Sequence, residues 1–385
     1  MAESRKQLTE YLGRLIERRQ KHVPIEPHQI AELEAELEEA LSQGMRDVIS
    51  NIEPATPFED PISSFLLSEW RQRVEPAIAS LSFPLARWPV IGTLPTDRVN
   101  AMAVSVPSSD EYLVIFHSQL LPFIGLIARV CSKVTPFTLS DEGIVASFAK
   151  DHIRTSIEQN PRGVRAFQEL LEACLITGRP SAVGPDLELT REQTVFSGSL
   201  FYCIGTFILG HEYAHIFANH LSSAARSPVV IGGQTEEEVL WSWRAEDEAD
   251  TYGVLIMLRA MSSQDLWLRF WGPKLFLSCT SVLENALSIL RTGKESKPRL
   301  TATHPPTELR HNHIGQLMVT YLKTNLESLG TNNRETVIHA AKETETVMDA
   351  AEALDEIMKA LWESAKPRLH QLYQSGKRPA AIWGL

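Results

Sequence analysis

The sequence predicts an α+β fold that is mostly α-helical, with one small antiparallel β-sheet and additional helices at both ends. Three observations carry that prediction. Apolar residues recur at helical spacing through most of the chain after residue 120. One window, 86–121, instead holds short β-branched and aromatic segments cut by turn residues. Finally, 43% hydrophobic and 22% charged residues make an ordinary folded composition, too apolar for disorder. With 385 residues there is room for one large catalytic unit or a few ordinary domains. The expected organisation is an N-terminal helical segment (1–80), a central unit (81–330) and a C-terminal helical segment (331–385).

Residues 3–48 read as two charged helices. Leu8, Leu12, Leu15 and Ile16 form one apolar stripe, Pro24 to Pro27 break it, and Ile30, Leu33, Leu37 and Leu41 resume it. A connector with Pro54, Pro57 and Pro61 leads to a helix over 62–81, interrupted at Pro76. Val90–Leu94, Val99–Val106 and Tyr112–Phe116 are the strands, joined by turns at Pro95-Thr-Asp and Pro107-Ser-Ser-Asp, which makes an antiparallel meander. Helices are expected over 141–159, 161–177, 191–222, 236–261, 264–291, 307–329 and 334–375, with joints at Gly178-Arg-Pro180 and Gly272-Pro273. The Glu-, Ala- and Lys-rich stretch 342–362 reads as a solvated outer helix.

The formal net charge of −11 leaves no basic stripe for phosphates, so nucleic acid is not an expected partner. Cys131, Cys174, Cys203 and Cys279 are scattered and form no Cys-x-x-Cys pair, so they read as small buried thiols. The charged, amphipathic start lacks the apolar run of a secretory signal. The apolar stretches 112–131 and 197–210 are interrupted by polar residues, short of the roughly 18 apolar residues of a membrane span. A soluble, cytoplasmic chain with no membrane span is expected.

The chemistry concentrates at His211-Glu212-Tyr-Ala-His215, inside an apolar helix. Residues four apart share a helical face, so both imidazoles can reach one ion with Glu212 beside them. Zinc accepts imidazole nitrogen and carboxylate oxygen, and a catalytic site leaves its fourth position to water. Burying two histidines and a glutamate without partners would be costly. The third ligand must come from elsewhere. His220, nine residues after His211, is half a turn out of phase on a continuous helix, and Leu221 occupies the place where metzincins carry their third histidine. The run Arg244-Ala-Glu246-Asp-Glu248-Ala249-Asp250 offers carboxylates instead: Glu246 and Asp250 share a face, and Ala249 lets a second helix approach.

Taken together, these segments resemble the gluzincin peptidases, most closely the family of the CAAX prenyl protease and the bacterial heat-shock protease HtpX. The likeness rests on His211-Glu-Tyr-Ala-His215, on Glu246-x-x-Ala249-Asp250, on Thr303-His304-Pro305-Pro306 with Arg310 six residues after the histidine, and on Asn100-Ala101-Met102-Ala103 before the strand at Tyr112. They occur in the family's order and span residues 90–315. The family's membrane spans are missing, a longer link separates hairpin from zinc helix, and both termini lack counterparts. The resemblance implies a zincin-like core holding one zinc ion on His211, His215 and Glu246, in a metalloendopeptidase that cuts a protein or peptide substrate.

Roles follow from that likeness. Glu212 is the general base that takes a proton from water and passes it to the leaving amine. His304 is the candidate oxyanion donor, and Arg310 holds its loop or helps with charge. Asp250 is placed to receive the far N–H of a ligating imidazole, with His220 as a further supporting residue. Asn100 and Ala101 present backbone groups to an extended peptide. Tyr213 and Phe217 read as packing, and His311 and His313 as surface residues. Two other classes fit the same residues: a zinc-binding scaffold without turnover, and a helical interaction protein in which the motif is incidental. One of the terminal helical segments is further expected to cover the cleft.

Overall fold

A computed structural model describes residues 61–380, other than 86, 97, 107–108, 141–142, 183–186, 224, 232–233, 241–242, 296–304 and 329–333. The two helices expected within 3–48, and His304, lie outside the described residues. The helices are α1 (Pro61–Ser80), α2 (Leu120–Val134), α3 (Lys150–Gln159), α4 (Pro161–Glu172), α5 (Arg191–Phe217), the single-turn α6 (His220–Ser223), α7 (Trp243–Ala260), α8 (Leu266–Thr292), α9 (Thr307–Ser328) and α10 (Arg334–Gln374). The strands are β1 (Val90–Leu94), β2 (Ala101–Ser105), β3 (Tyr112–His117), β4 (Phe137–Ser140), β5 (Gly143–Ala146), β6 (Ala225–Ile231) and β7 (Gln234–Leu240). The protein is therefore mostly helical with little sheet, as its periodicity predicts.

α5 is the axis. A capping box starts it: the Thr190 hydroxyl accepts from Gln193 N–H, and the Gln193 side chain accepts from Thr190 N–H. From Cys203 to Ile216 every residue is buried, so this half of the helix has no solvent face. α1, α2, α7, α8 and β2 surround it. By length and composition α5 is also the one described helix that could cross a membrane, yet 67% of its most apolar window lies inside the fold. Its burial among five elements is that of a core helix. Apolar side chains from Leu67 on α1 to Leu372 on α10 form one contiguous cluster around it.

The first sheet departs from the expected antiparallel meander. Its order is β1-β3-β2, with β1 parallel to β3 and β2 antiparallel to β3. β3 takes the centre because it is apolar on both faces: Val114 and Phe116 enter the main core, while Leu113 and Ile115 join Leu94 in a second cluster. β2 is left as an edge. Two hairpins, β4–β5 and β6–β7, occupy ground read as helix, so the helices expected from 141 and 236 begin at Lys150 and Trp243. Two expected breaks are absent: α1 runs through Pro76 and α8 through Pro273, each held by buried neighbours on both sides of the proline. The joint at Gly178 is real, with φ of 72° closing a π-turn over Ala173–Thr177. All four cysteines are free and buried, as expected, and burial pushes the Cys131 and Cys203 thiols up to about 12.

Candidate metal centre

Among the described residues, the two helices that carry the motif residues share the most extensive contact of any helix pair. Gly210 on α5 and Gly253 on α7 make this possible. A Cβ at Gly253 would sit 3.1 Å from the His211 main-chain nitrogen, and one at Gly210 would sit 3.3 Å from the Gly253 carbonyl oxygen. Ala249, fully buried, continues the small-residue stripe. Helical spacing then puts Glu246, Ala249, Asp250 and Gly253 on the face of α7 that meets α5.

This contact brings His211, His215 and Glu246 together, and among the described residues they are the one group of three with ligand atoms within 4.8 Å of one another. His211 Nε2 lies 3.1 Å from His215 Nε2, a meeting of two imidazole edges with no second protein group between them. Glu246 Oε2 lies 3.7 Å from His211 Nε2, and its Oε1 lies 3.8 Å from His215 Nε2. All three side chains are buried. Burial drives the His215 pKa well below its ordinary value, helped by the neighbouring His211, which favours the neutral ring. These three residues can hold a metal ion.

Asp250 stands where expected, with Oδ1 2.9 Å from His211 Nδ1. Burial alone would raise its pKa, but Arg310 and His211 outweigh burial and keep it lowered. For His211, burial lowers the pKa and is outweighed by Asp250 and Glu246, so the net shift is upward. Arg310 sits behind the ligands. Its Nε and Nη2 donate to the two carboxylate oxygens of Asp250 at 2.8 and 2.7 Å, and its Nη1 lies 3.2 Å from Glu246 Oε2. One planar guanidinium thus fixes both Glu246 and Asp250 of α7.

Three contacts aim α9, which carries Arg310. The Thr307 hydroxyl donates to Glu284 on α8. His313 Nε2 lies 3.0 Å from the Thr251 hydroxyl oxygen and 3.2 Å from the Asp247 carbonyl oxygen on α7. His311 Nε2 lies 3.4 Å from Asp355 Oδ1 on α10. His311 and His313 are therefore interhelical ties, where surface residues were expected.

Glu212 is buried beside the group. Burial pushes its carboxyl up to about 7, opposed by His211, while Glu246 adds to the rise and the Ala103 main-chain N–H, donating to Glu212, counters it. Ala103 was not foreseen. The sheet explains its place: Asn100 O accepts from His117 N–H and Glu111 O from Val106 N–H, both at 2.9 Å, so even-numbered residues of β2 bond to β3. Ala101, Ala103 and Ser105 consequently direct their backbone groups to the free edge. Of the two expected backbone contributors, Ala101 is on that edge, whereas the carbonyl of Asn100 is already committed to β3.

His220 stands beside a candidate ligand, as expected of a supporting residue, but it gets there through a break in the helix that was read as continuous. α5 stops at Phe217, and Asn219 adopts a left-handed conformation with φ of 59°. The chain swings back, and His220 Nδ1 comes to 3.0 Å from His215 Nδ1. Tyr213 and Phe217 pack as expected: the Tyr213 hydroxyl donates to Glu75 at 3.0 Å, and Phe217 stacks on Phe83 with centroids 4.7 Å apart.

Comparison of the chain with protein-family models, with curated proteins and with solved structures finds no match. What the geometry defines is a class of centre: a buried pair of imidazoles and one carboxylate, on two tightly packed helices, able to hold a metal ion.

Proposed function

We propose that this chain is a zinc metalloendopeptidase of gluzincin type, a soluble cytoplasmic enzyme that cuts a protein or peptide substrate. The carrying observation is the convergence of His211, His215 and Glu246 with Glu212 buried at their side. Tetrahedral zinc with bonds of about 2.0–2.1 Å places its ligands roughly 3.3–3.4 Å apart. The imidazole nitrogens stand 3.1 Å apart, and the Glu246 carboxylate approaches each of them through a different oxygen, at 3.7 and 3.8 Å; two nitrogens and one carboxylate suit zinc and leave one position open. Zinc bound there would lower the pKa of water from 15.7 to about 7 and polarise the scissile carbonyl.

The remaining work falls to the protein. Glu212 takes the proton of the attacking water and delivers it to the leaving amine. Asp250 and Arg310 hold His211 and Glu246 in place, so Arg310 supports the ligands and is not itself at the reacting atoms. An extended substrate adds along the edge of β2 that faces away from β3, through the backbone of Ala101, the Ala103 N–H there being given to Glu212. His304 remains the assigned donor to the oxyanion.

Zinc content and casein digestion test the assignment. His211→Ala and Glu246→Ala should lose zinc, whereas Glu212→Gln should keep it and lose turnover. Digestion by Glu212→Gln at the wild-type rate would remove the base assignment. A zinc scaffold without turnover is favoured by one observation: the ligands and Glu212 are all at least nine-tenths buried. Zinc-loaded wild-type protein that cuts nothing in a peptide library would establish that reading instead.

A further inference from the structure

We infer that Tyr252, Glu248 and His220 form a relay that fixes the tautomer and ring plane of His215, and that this relay, which rests on the zinc reading above, sets the metal affinity of the centre. The argument starts from proton counting. His215 Nδ1 and His220 Nδ1 face each other at 3.0 Å, so one of them must donate and the other accept. His220 Nε2 lies 3.3 Å from Glu248 Oε2, and a carboxylate can only accept. A single proton on the His220 ring therefore sits on Nε2, and its Nδ1 is then an acceptor. That leaves the His215 proton on Nδ1 and its lone pair on Nε2, facing His211 and Glu246.

Every donor in the chain then has its acceptor. The Tyr252 hydroxyl donates to Glu248 Oε1 at 3.3 Å, His220 donates to Glu248 Oε2, and His215 donates to His220. The opposite tautomer of His215 would place a hydrogen into the 3.1 Å gap before His211 Nε2, which a cation would have to displace on binding. The relay also spans the depth of the fold. The His215 side chain is fully buried, that of His220 is 9% exposed and that of Glu248 is 39% exposed. Glu248 and Tyr252 are four apart on α7, the helix of Glu246, so one helix supplies both a ligand and the support of another ligand. Asp250 and Arg310 do the same for His211, and the two imidazoles are thereby held from opposite sides.

The test uses the full chain, stripped of metal and refilled, with zinc affinity read by competition against a chromogenic chelator and geometry by the visible bands of the cobalt-substituted protein. His220→Phe keeps the ring volume and removes the acceptor; zinc affinity should fall by about 10–100-fold and the cobalt bands should shift. Glu248→Gln retains an oxygen that can accept from His220 and should bind like wild type, whereas Glu248→Leu should weaken binding. A merely structural role predicts equal losses in Glu248→Gln and Glu248→Leu, with the metal-free melting temperature falling in parallel. Equal affinities of wild type, His220→Phe and Glu248→Leu overturn the relay and leave the peptidase reading standing. If His220→Phe does not fold, the Glu248 pair decides alone, and identical affinities there overturn the proposal. Zinc bound by wild type without any hydrolysis overturns the peptidase reading and leaves the relay. Wild-type protein that takes up no zinc overturns both.

Discussion

Gly253→Ala is a direct probe of the contact on which the centre is built. The new methyl carbon would lie 3.1 Å from the His211 nitrogen and 3.2 Å from its Cα and Cβ, all tighter than ordinary contact. Because these are mostly backbone atoms, the two helices must separate by a few tenths of an ångström. Helix propensity opposes the clash, since alanine is favoured over glycine by about 1 kcal/mol in a helix interior. Overpacking costs about 1–3 kcal/mol. The balance is a small loss of stability, roughly 0–2 kcal/mol by those two figures. The larger effect falls on the metal. Separating α5 from α7 lengthens the 3.7 and 3.8 Å spans from the imidazoles to Glu246, which already exceed the tetrahedral ideal. Zinc affinity should drop by about tenfold, equivalent to about 1.4 kcal/mol. Gly198→Ala on the facing helix α5 is the control: nothing lies within 4 Å of the added carbon. It should stabilise by up to about 1 kcal/mol with zinc affinity unchanged. Chelator competition and urea unfolding measure both quantities. Wild-type zinc affinity in Gly253→Ala, with a gain in stability like that of Gly198→Ala, would refute the idea that helix separation governs ligand spacing.

Arg310→Met should destabilise the metal-free protein by about 3–5 kcal/mol, because Asp250 loses both guanidinium contacts while fully buried. Arg310→Lys, which restores charge without the two-pronged contact, should fall between them, and a loss below 1 kcal/mol for methionine in urea titrations would contradict the clamp. Asp355 gives a pH dependence: burial raises its pKa, but His311 and Lys274 outweigh burial and hold it below the ordinary 3.8. Its contribution is thus present above that value and disappears as pH falls through the lowered one. Wild type should be modestly more stable than Asp355→Asn at pH 6, and their unfolding midpoints should converge below 3.8; a constant gap across that range would count against the Asp355–His311–Lys274 cluster.

Much of the fold was legible because helices advertise themselves locally. The three-residue and four-residue spacings in Glu246, Ala249, Asp250 and Gly253 show which face of α7 is turned inward. Sheet order is not local. Nothing in Val90–Leu94 says whether it pairs beside β3 or β2; the doubly apolar β3 decides it only once the core exists. The β6–β7 hairpin did carry a signal, since β-branched Val229, Val230 and Ile231 precede Gly232-Gly233, but the acidic run Glu236–Glu238 resembled a helix start. The same holds at the centre. The candidate ligands were readable from spacing and resemblance, whereas His220 was placed on a helix assumed to continue. Asn219, a residue tolerant of the left-handed conformation, was the available cue for the break. Glu248 had none, because its role exists only after the chain has turned at that asparagine.

The ligands on α5 and α7 are joined in sequence by the β6–β7 hairpin, yet they are held together in space by glycine-to-backbone contact between the helices themselves. The hairpin is accordingly a tether and not a strut. Changes in its length should leave the spacing of His211, His215 and Glu246 unaltered. A lineage could therefore edit this ribbon and leave the inner geometry intact.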